Sequence, residues 1–200
     1  MKIIHIINSL KKGGAEGNLY RLCKMHKKNY QNKVSIIIIT LIDNGFYEDE
    51  LKKKGIKIIS LNIKNNDKII KLIKKIFLLR KLIKKFNPDI IQSWMYHSNF
   101  ISIFIPKVFY KKLFWNIRHS ELNLKISKKK TILLSFVCGI LSRFIPEKII
   151  YCSSKSIFYH QKFYFYQKKK SSLIYNGYSY KTYFKSKKHR IRFKEKYKIK

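Results

Sequence analysis

The chain opens with a β-branched run, Ile3-Ile4-His5-Ile6-Ile7, that ends in a loop with Gly13 and Gly14 side by side. An amphipathic helix pattern starts at once, with Leu19, Leu22 and Met25 recurring at helical spacing. Strand, glycine turn and helix in that order open a nucleotide-binding α/β domain. The glycines let the backbone pass close to a ligand, and the helix N-terminus offers free N–H groups to an anion. The spacing is not G-x-G-x-x-G, so the standard dinucleotide fingerprint is absent. Taken alone, the loop fits a tight turn and a phosphate site equally well.

The alternation continues to the end of the chain. After the first strand, strands are expected at 34–41, 56–61, 90–95, 113–117, 148–152 and 173–175. Helices are expected at 15–30, 47–54, 67–86, 97–110, 131–145 and 153–164, with a basic helical tail at 189–200. The near-continuous apolar run at 34–41 suits a strand buried on both faces, as in a parallel sheet. Asp43-Asn44-Gly45 is a turn signal, Gly55 closes the short second helix, and Ser153 or Ser154 caps a later one. Asp67 is expected to cap the long basic helix, whose apolar stripe is Ile69, Ile73, Ile76, Leu79, Ile83 and Phe86. In isolation that helix reads as a membrane-surface element. Followed by Asn87-Pro88-Asp89 and another strand, it reads as a crossover helix packed on a sheet. The fold class is therefore α/β, a Rossmann-like, doubly wound, mostly parallel sheet. Ligands of such sheets sit beyond the C-terminal strand ends.

The charge needs separate treatment. A net charge of +36 on 200 residues suggests a polyanion or membrane partner. Yet the 46 basic residues are 40 Lys and 6 Arg, there are 34 Ile against 3 Val, and Ala15 is the single alanine. Those preferences follow A/T-rich codons, so a base-biased genome is the simplest account, with Lys filling surface positions. A dedicated phosphate-binding surface would also use Arg for its bidentate geometry. Nucleic acid is thus disfavoured as a partner, and an anionic membrane surface stays open. Cys23, Cys138 and Cys152 lack metal-type spacing and read as free thiols of a reducing cytoplasm. No metal site is expected. The apolar run at 3–7 is too short for a signal peptide, and the greasy segment 132–145 falls short of a bilayer span. The expected location is cytoplasmic, either free or peripheral at the inner membrane face.

Four clusters follow expected strands. They are Gly13-Gly14-Ala15-Glu16, Trp94-Met95-Tyr96-His97-Ser98-Asn99, Asn116-Ile117-Arg118-His119-Ser120-Glu121 and Tyr175-Asn176-Gly177. A parallel sheet would bring all four to one rim. His97 at a strand end suits a sugar hydroxyl or a proton shuttle, or a purely structural role. Arg118, His119 and Ser120 suit an anionic group, with Arg118 as the fork. The alternative for Arg118 is a salt bridge to Glu121 or a helix cap. Asn176-Gly177 alone is a turn.

In this order and spacing, with Pro-Asp-Ile-Ile-Gln-Ser-Trp-Met-Tyr-His at 88–97 and Tyr-Cys-Ser-Ser-Lys-Ser at 151–156, the clusters resemble the N-terminal half of a family 4 glycosyltransferase of the GT-B fold. The resemblance implies two Rossmann-like domains with the active site between them. It implies a retaining, metal-independent hexosyltransferase with no cofactor beyond a nucleotide-sugar co-substrate. The acceptor would be a glycan or glycolipid, as in surface polysaccharide or lipopolysaccharide assembly. Residues 1–180 would be the acceptor-side domain, and 181–200 a basic linker helix leading to a C-terminal donor domain that this chain does not include. That donor half could be a separate chain. His97 would be the catalytic histidine. Gly13, Gly14, Ala15, Glu16, Asn99, Arg118, His119, Ser120, Asn176 and Gly177 would contact substrate or phosphate. One departure is that Asn176-Gly177 runs on into Tyr178-Ser179, without the family's usual acid. The other is that the family's Glu-x7-Glu donor motif is not found here, so little activity is expected from the chain alone. The alternative is a non-catalytic basic α/β module that binds nucleic acid or an anionic membrane.

Overall fold

The structure is a computed structural model, and it describes residues 1–30, 33–43, 45–122, 127–178 and 186–199. Seven strands form one sheet: β1 (Lys2–Ile7), β2 (Ser35–Thr40), β3 (Lys57–Ser60), β4 (Ile90–Trp94), β5 (Lys112–Ile117), β6 (Lys148–Tyr151) and β7 (Ser171–Leu173). Their order is β3-β2-β1-β4-β5-β6-β7 and every pairing is parallel. The strand order reverses between β1 and β4. In a doubly wound sheet that switch point is where a crevice opens.

Six helices alternate with the strands: α1 (Gly14–Asn29), α2 (Glu48–Lys53), α3 (Ile69–Phe86), α4 (Met95–Ser102), α5 (Lys129–Leu141) and α6 (Ser154–Tyr164). A last helix, α7 (Lys187–Tyr197), follows β7. Two apolar cores separate the helices into layers. Leu19 and Cys23 of α1 and Leu51 of α2 pack with Ile7, Ile36, Ile38 and Trp94 on one side of the sheet. On the other side, Leu79 and Ile83 of α3, Tyr96 of α4, Cys138 of α5 and Tyr164 of α6 pack with Ile4, Ile6, Ile91, Leu113 and Trp115. Period-two alternation sends odd and even strand positions to different layers. His5 is fully buried on the α1 side, in the middle of β1.

Several boundaries differ from expectation for physical reasons. Asp67 does not cap α3. Its carboxylate accepts from the Lys64 N–H at 2.9 Å and pairs with Lys75 at 3.4 Å, and the N-cap residue is Lys68. The α3 stripe packs as expected only from Ile76 onward, because Ile69 (73% exposed) and Ile73 lie open to solvent. The helix expected to reach residue 110 ends at Ser102, and after Pro106 a single 3-10 turn (Lys107–Phe109) leads to β5. The last strand lies two residues earlier than expected, where it pairs with β6. Gly55 adopts φ +70° just after α2, and Ser153 caps α6 by accepting from Ser156 N–H at 3.1 Å, both as the sequence suggests. All three cysteines are free, and Cys152 is only half-buried. Of the expected features, Asn44, residues 123–126 of the 118–130 loop and residues 181–185 of the linker lie outside the described residues.

Candidate functional site

The parallel sheet brings the loops after β1, β4, β5 and β7 to one rim. Each is positioned differently. After β1, Gly13 is the N-cap of α1 in an extended conformation (φ −158°, ψ 171°), and no side chain caps the helix. The first-turn amides therefore remain open. A Cβ at Gly14 would meet nothing within 4 Å, so no packing constraint of the described protein requires glycine there. At Gly13 a Cβ would meet the Glu16 carboxylate, which lies across the turn. Gly13 and Gly14 are exposed, whereas Ala15 and Glu16 are half-buried.

β4 passes into α4 without a loop, and Met95 at the junction has φ +68°. A non-glycine residue held there stores about 1–3 kcal/mol of strain. The neighbours that hold it are specific. Asn99 is fully buried, and its Nδ2 donates to Ser93 Oγ at 2.7 Å and to the Met95 carbonyl at 3.2 Å. The Arg118 N–H donates to Met95 Sδ at 3.3 Å. Asn99, expected to contact substrate, is fully buried here and braces the turn from beneath. His97 stands in the first turn of α4, exposed, and makes no hydrogen bond among the described residues. Shielding by neighbouring atoms and repulsion from Lys128 lower its pKa from 6.5.

Arg118, after β5, is the hub of the rim. Its guanidinium donates to Asn176 Oδ1 (3.0 Å), Asn116 Oδ1 (3.1 Å) and the Ile174 carbonyl (3.3 Å). It also lies 5.1 Å over the Trp94 ring. Every acceptor is neutral. Among the described residues no carboxylate pairs with Arg118, because Glu121 pairs with Lys155 at 2.7 Å. The Nε of Arg118 is buried without a partner among the described residues. A half-buried cation surrounded by neutral oxygens attracts an anion.

Asn176 ties the rim together. Its Oδ1 accepts from Arg118 and, through a short contact, from Asn18 Nδ2 of α1. Arg21, one turn further along α1, donates to the Gly177 carbonyl at 3.0 Å and stacks 4.6 Å from the Tyr178 ring. The structure thus joins Asn176-Gly177 and Arg118 to the helix that begins at Gly14. Asn18, Arg21, Trp94 and Asn116 supply this junction without having been singled out as ligands. Asn18 left a faint signal, a polar residue beside Leu19 on the apolar side of α1. Its partner lies 158 residues away, beyond any local pattern.

His119 and Ser120 are exposed beside Arg118. Their loop is fixed from below: Ser156 Oγ donates to the His119 carbonyl at 2.6 Å. His160, fully buried, meets Tyr96 OH at 2.6 Å through Nε2 and the Ser156 carbonyl at 2.7 Å through Nδ1. The Nδ1 proton therefore goes to the carbonyl, and Nε2 accepts from the tyrosine. Burial, with repulsion from His119, brings the His160 pKa to about 4. No cluster of three or more His, Cys, Asp or Glu among the described residues could hold a metal ion.

A seven-stranded parallel sheet whose strand order reverses between β1 and β4, with helices on both faces, defines a Rossmann-like domain. Comparison makes the class specific. The sequence model of Glycosyltransferase Family 4 matches residues 12–181, and the chain belongs to that family. Solved structures share the fold. Anabaena Alr3699/HepE in complex with UDP and glucose aligns with TM-score 0.73 at 16% identity, over 98% of this chain and 50% of that one. A glycosyltransferase from Rickettsia africae ESF-5 gives 0.63 at 16%, over 99% and 50%. The lipopolysaccharide outer core galactosyltransferase WaaB gives 0.63 at 17%, over 91% and 47%. The chain spans about half the length of these structures and has the architecture of one half of a GT-B fold. No protein of curated function matches it.

Proposed function

We propose that this chain is the acceptor-side half of a metal-independent, retaining glycosyltransferase that moves a sugar from a nucleotide-sugar to a glycan or glycolipid. The observation that carries the reading is Arg118, a cation with only neutral partners, bonded through Asn176 to the helix whose open N-terminus is Gly14. Sugar transfer leaves negative charge on the departing diphosphate. A guanidinium and free helix amides at one rim stabilise such charge without reorganising. Glu16 repels phosphate but accepts from sugar hydroxyls, so it belongs to the acceptor. His97, exposed and held neutral near pH 7, suits contact with the transferring sugar or acceptor. Arg118, His119, Ser120, Asn176 and Gly177 line the wall of the cleft. The relative HepE was solved with UDP and with UDP-glucose, which supports a nucleotide-sugar donor here.

The test is sugar transfer from labelled UDP-sugars by this chain together with a family 4 donor-side domain supplied in trans. Gly14→Val and His97→Ala are each expected to lower turnover at least about tenfold. Unchanged turnover in both variants would remove the site assignment.

A further inference from the structure

We propose that the layer formed by α3, α4, α5 and α6 is a docking surface for an anionic lipid bilayer. Two apolar stripes point away from the sheet on this side. On α3, Ile69, Ile70, Ile73 and Phe77 share one face at helical spacing, and all are exposed. On α5, Leu133, Phe136 and Ile140 do the same, Phe144 (77% exposed) continues the exposed apolar row in the turn just after the helix, and the exposed Phe165 ring packs edge-on against Phe136. Neither stripe meets the sheet. Exposed lysines flank the first stripe at 68, 71, 74 and 81, and Lys129, Lys130 and Arg143 flank the second.

The charge around the stripes is one-sided. α3, α4, α5 and α6 contain no Asp or Glu at all. The acids bordering the layer are occupied: Asp67 by Lys75, Glu121 by Lys155 and Glu147 by Lys107. On the opposite side of the sheet, α1 and α2 carry Glu16, Glu48, Asp49 and Glu50. A base-biased genome acts on both layers alike. It accounts for Lys over Arg, and it does not clear acids from one layer while leaving them on the other.

Apolar side chains bordered by lysines, without acids, match the two components of an anionic membrane surface, acyl boundary and headgroup. A nucleic acid would match the lysines and leave the apolar stripes in water. Among the described residues no helix is long and apolar enough to cross a membrane, so these helices would lie in the interface plane. α3 and α5 both start beyond C-terminal strand ends. A docked bilayer therefore lies beside the rim that holds Gly14 and Arg118. Docking itself does not depend on the transferase reading.

Flotation of the full chain with vesicles separates the outcomes. Binding is expected to vesicles of phosphatidylcholine with phosphatidylglycerol, to weaken in high salt, and to be nearly absent with phosphatidylcholine alone. Lys71→Glu with Lys74→Glu should lower partitioning at least about tenfold. Ile73→Ser with Phe144→Ser should lower it by a similar factor and leave the salt dependence in place. Lys24→Glu with Lys28→Glu on α1 makes the same charge change on the other layer and should leave partitioning within about twofold. All six positions are exposed, and an unchanged circular dichroism spectrum and Tm identify variants that fold. The proposal is overturned by absent binding at low salt, by equal loss in the α1 control, or by serine variants that bind undiminished. Random-sequence DNA binding as tight as vesicle binding, lost in the charge variants alone, would overturn it in favour of a polyanion surface.

Discussion

Helices α1 and α2 carry acids among their lysines, whereas α3 to α6, on the other side of the same sheet, carry none. The two sides also bury their histidines differently. Among the described residues His5, facing the α1 side, receives only a 3.4 Å contact from Trp94 Nε1, and its Nε2 has no partner. His160, facing the other side, has a partner on each ring nitrogen. The sheet is common to both layers, so these contrasts belong to the helices and not to the strands. The α1 layer holds two helices, and α1 opens without a side-chain cap. On the other side α4, α5 and α6 pack in sequence, α3 covers the same face of the sheet, and the exposed surface of these helices is apolar and cationic.

Acid unfolding should expose the contrast most strongly. Burial holds the folded-state pKa of His5 near 3 and that of His160 near 4, against 6.5 when unfolded. Both values are depressed, so the unfolded chain binds protons first. The stability these neutral histidines maintain is complete above pH 6.5 and is lost as pH falls toward each folded pKa. Each group removes about 1.4 kcal/mol per pH unit, on the order of 5 kcal/mol for both by pH 4.5. Urea unfolding between pH 8 and 4.5 measures this. At pH 8, His5→Ile should cost about 1 kcal/mol or less, because it removes an unpartnered N–H and strands Trp94 Nε1–H, whose contact is long at 3.4 Å. His160→Ile should cost about 2 kcal/mol, because it strands the Tyr96 hydroxyl. Equal losses in the two variants would erase the distinction between the layers.

Glycines give the next largest effect. A methyl at Gly139 of α5 would overlap the Tyr164 carbonyl at the end of α6, a backbone atom that cannot swing aside. Gly139→Ala should therefore destabilise the domain by about 3 kcal/mol, read as a lower urea midpoint with unchanged slope. This close approach lets α5 and α6 form one slab and keeps the α5 stripe turned outward.

The sheet was legible because Ile-rich runs bounded by Gly, Asn and Pro leave few alternatives to buried parallel strands. The rim was legible because parallel topology fixes which loops share an end. Contacts across the rim were hidden: Asn18 to Asn176 and Arg21 to Gly177 join the two ends of the domain. Asn99 lies in a strand-end cluster like His97, and only burial separates the brace from the exposed side chain. The outer half of α3 was illegible for another reason. A stripe of Ile69 and Ile73 looks the same in sequence whether it meets a sheet or solvent. The charge asymmetry likewise emerges only once each helix is assigned to a layer.

The smallest predicted effects test the helix ends. α6 is closed by its own Ser153 hydroxyl, so Ser153→Ala should cost about 1 kcal/mol and weaken the support of the His119 loop. α1 has no such cap, and nothing among the described residues lies within 4 Å of a methyl at Gly14. Gly14→Ala should therefore leave stability unchanged or raise it by up to about 0.5 kcal/mol, because alanine loses less chain entropy in a helix. If thermal unfolding instead shows a loss, the glycine answers a packing need within the protein, and the open end of α1 no longer argues for a ligand. If stability holds while sugar transfer with the donor domain falls, the missing side chain makes room for substrate. The two helix ends then differ because one is finished by the protein and the other by its ligand.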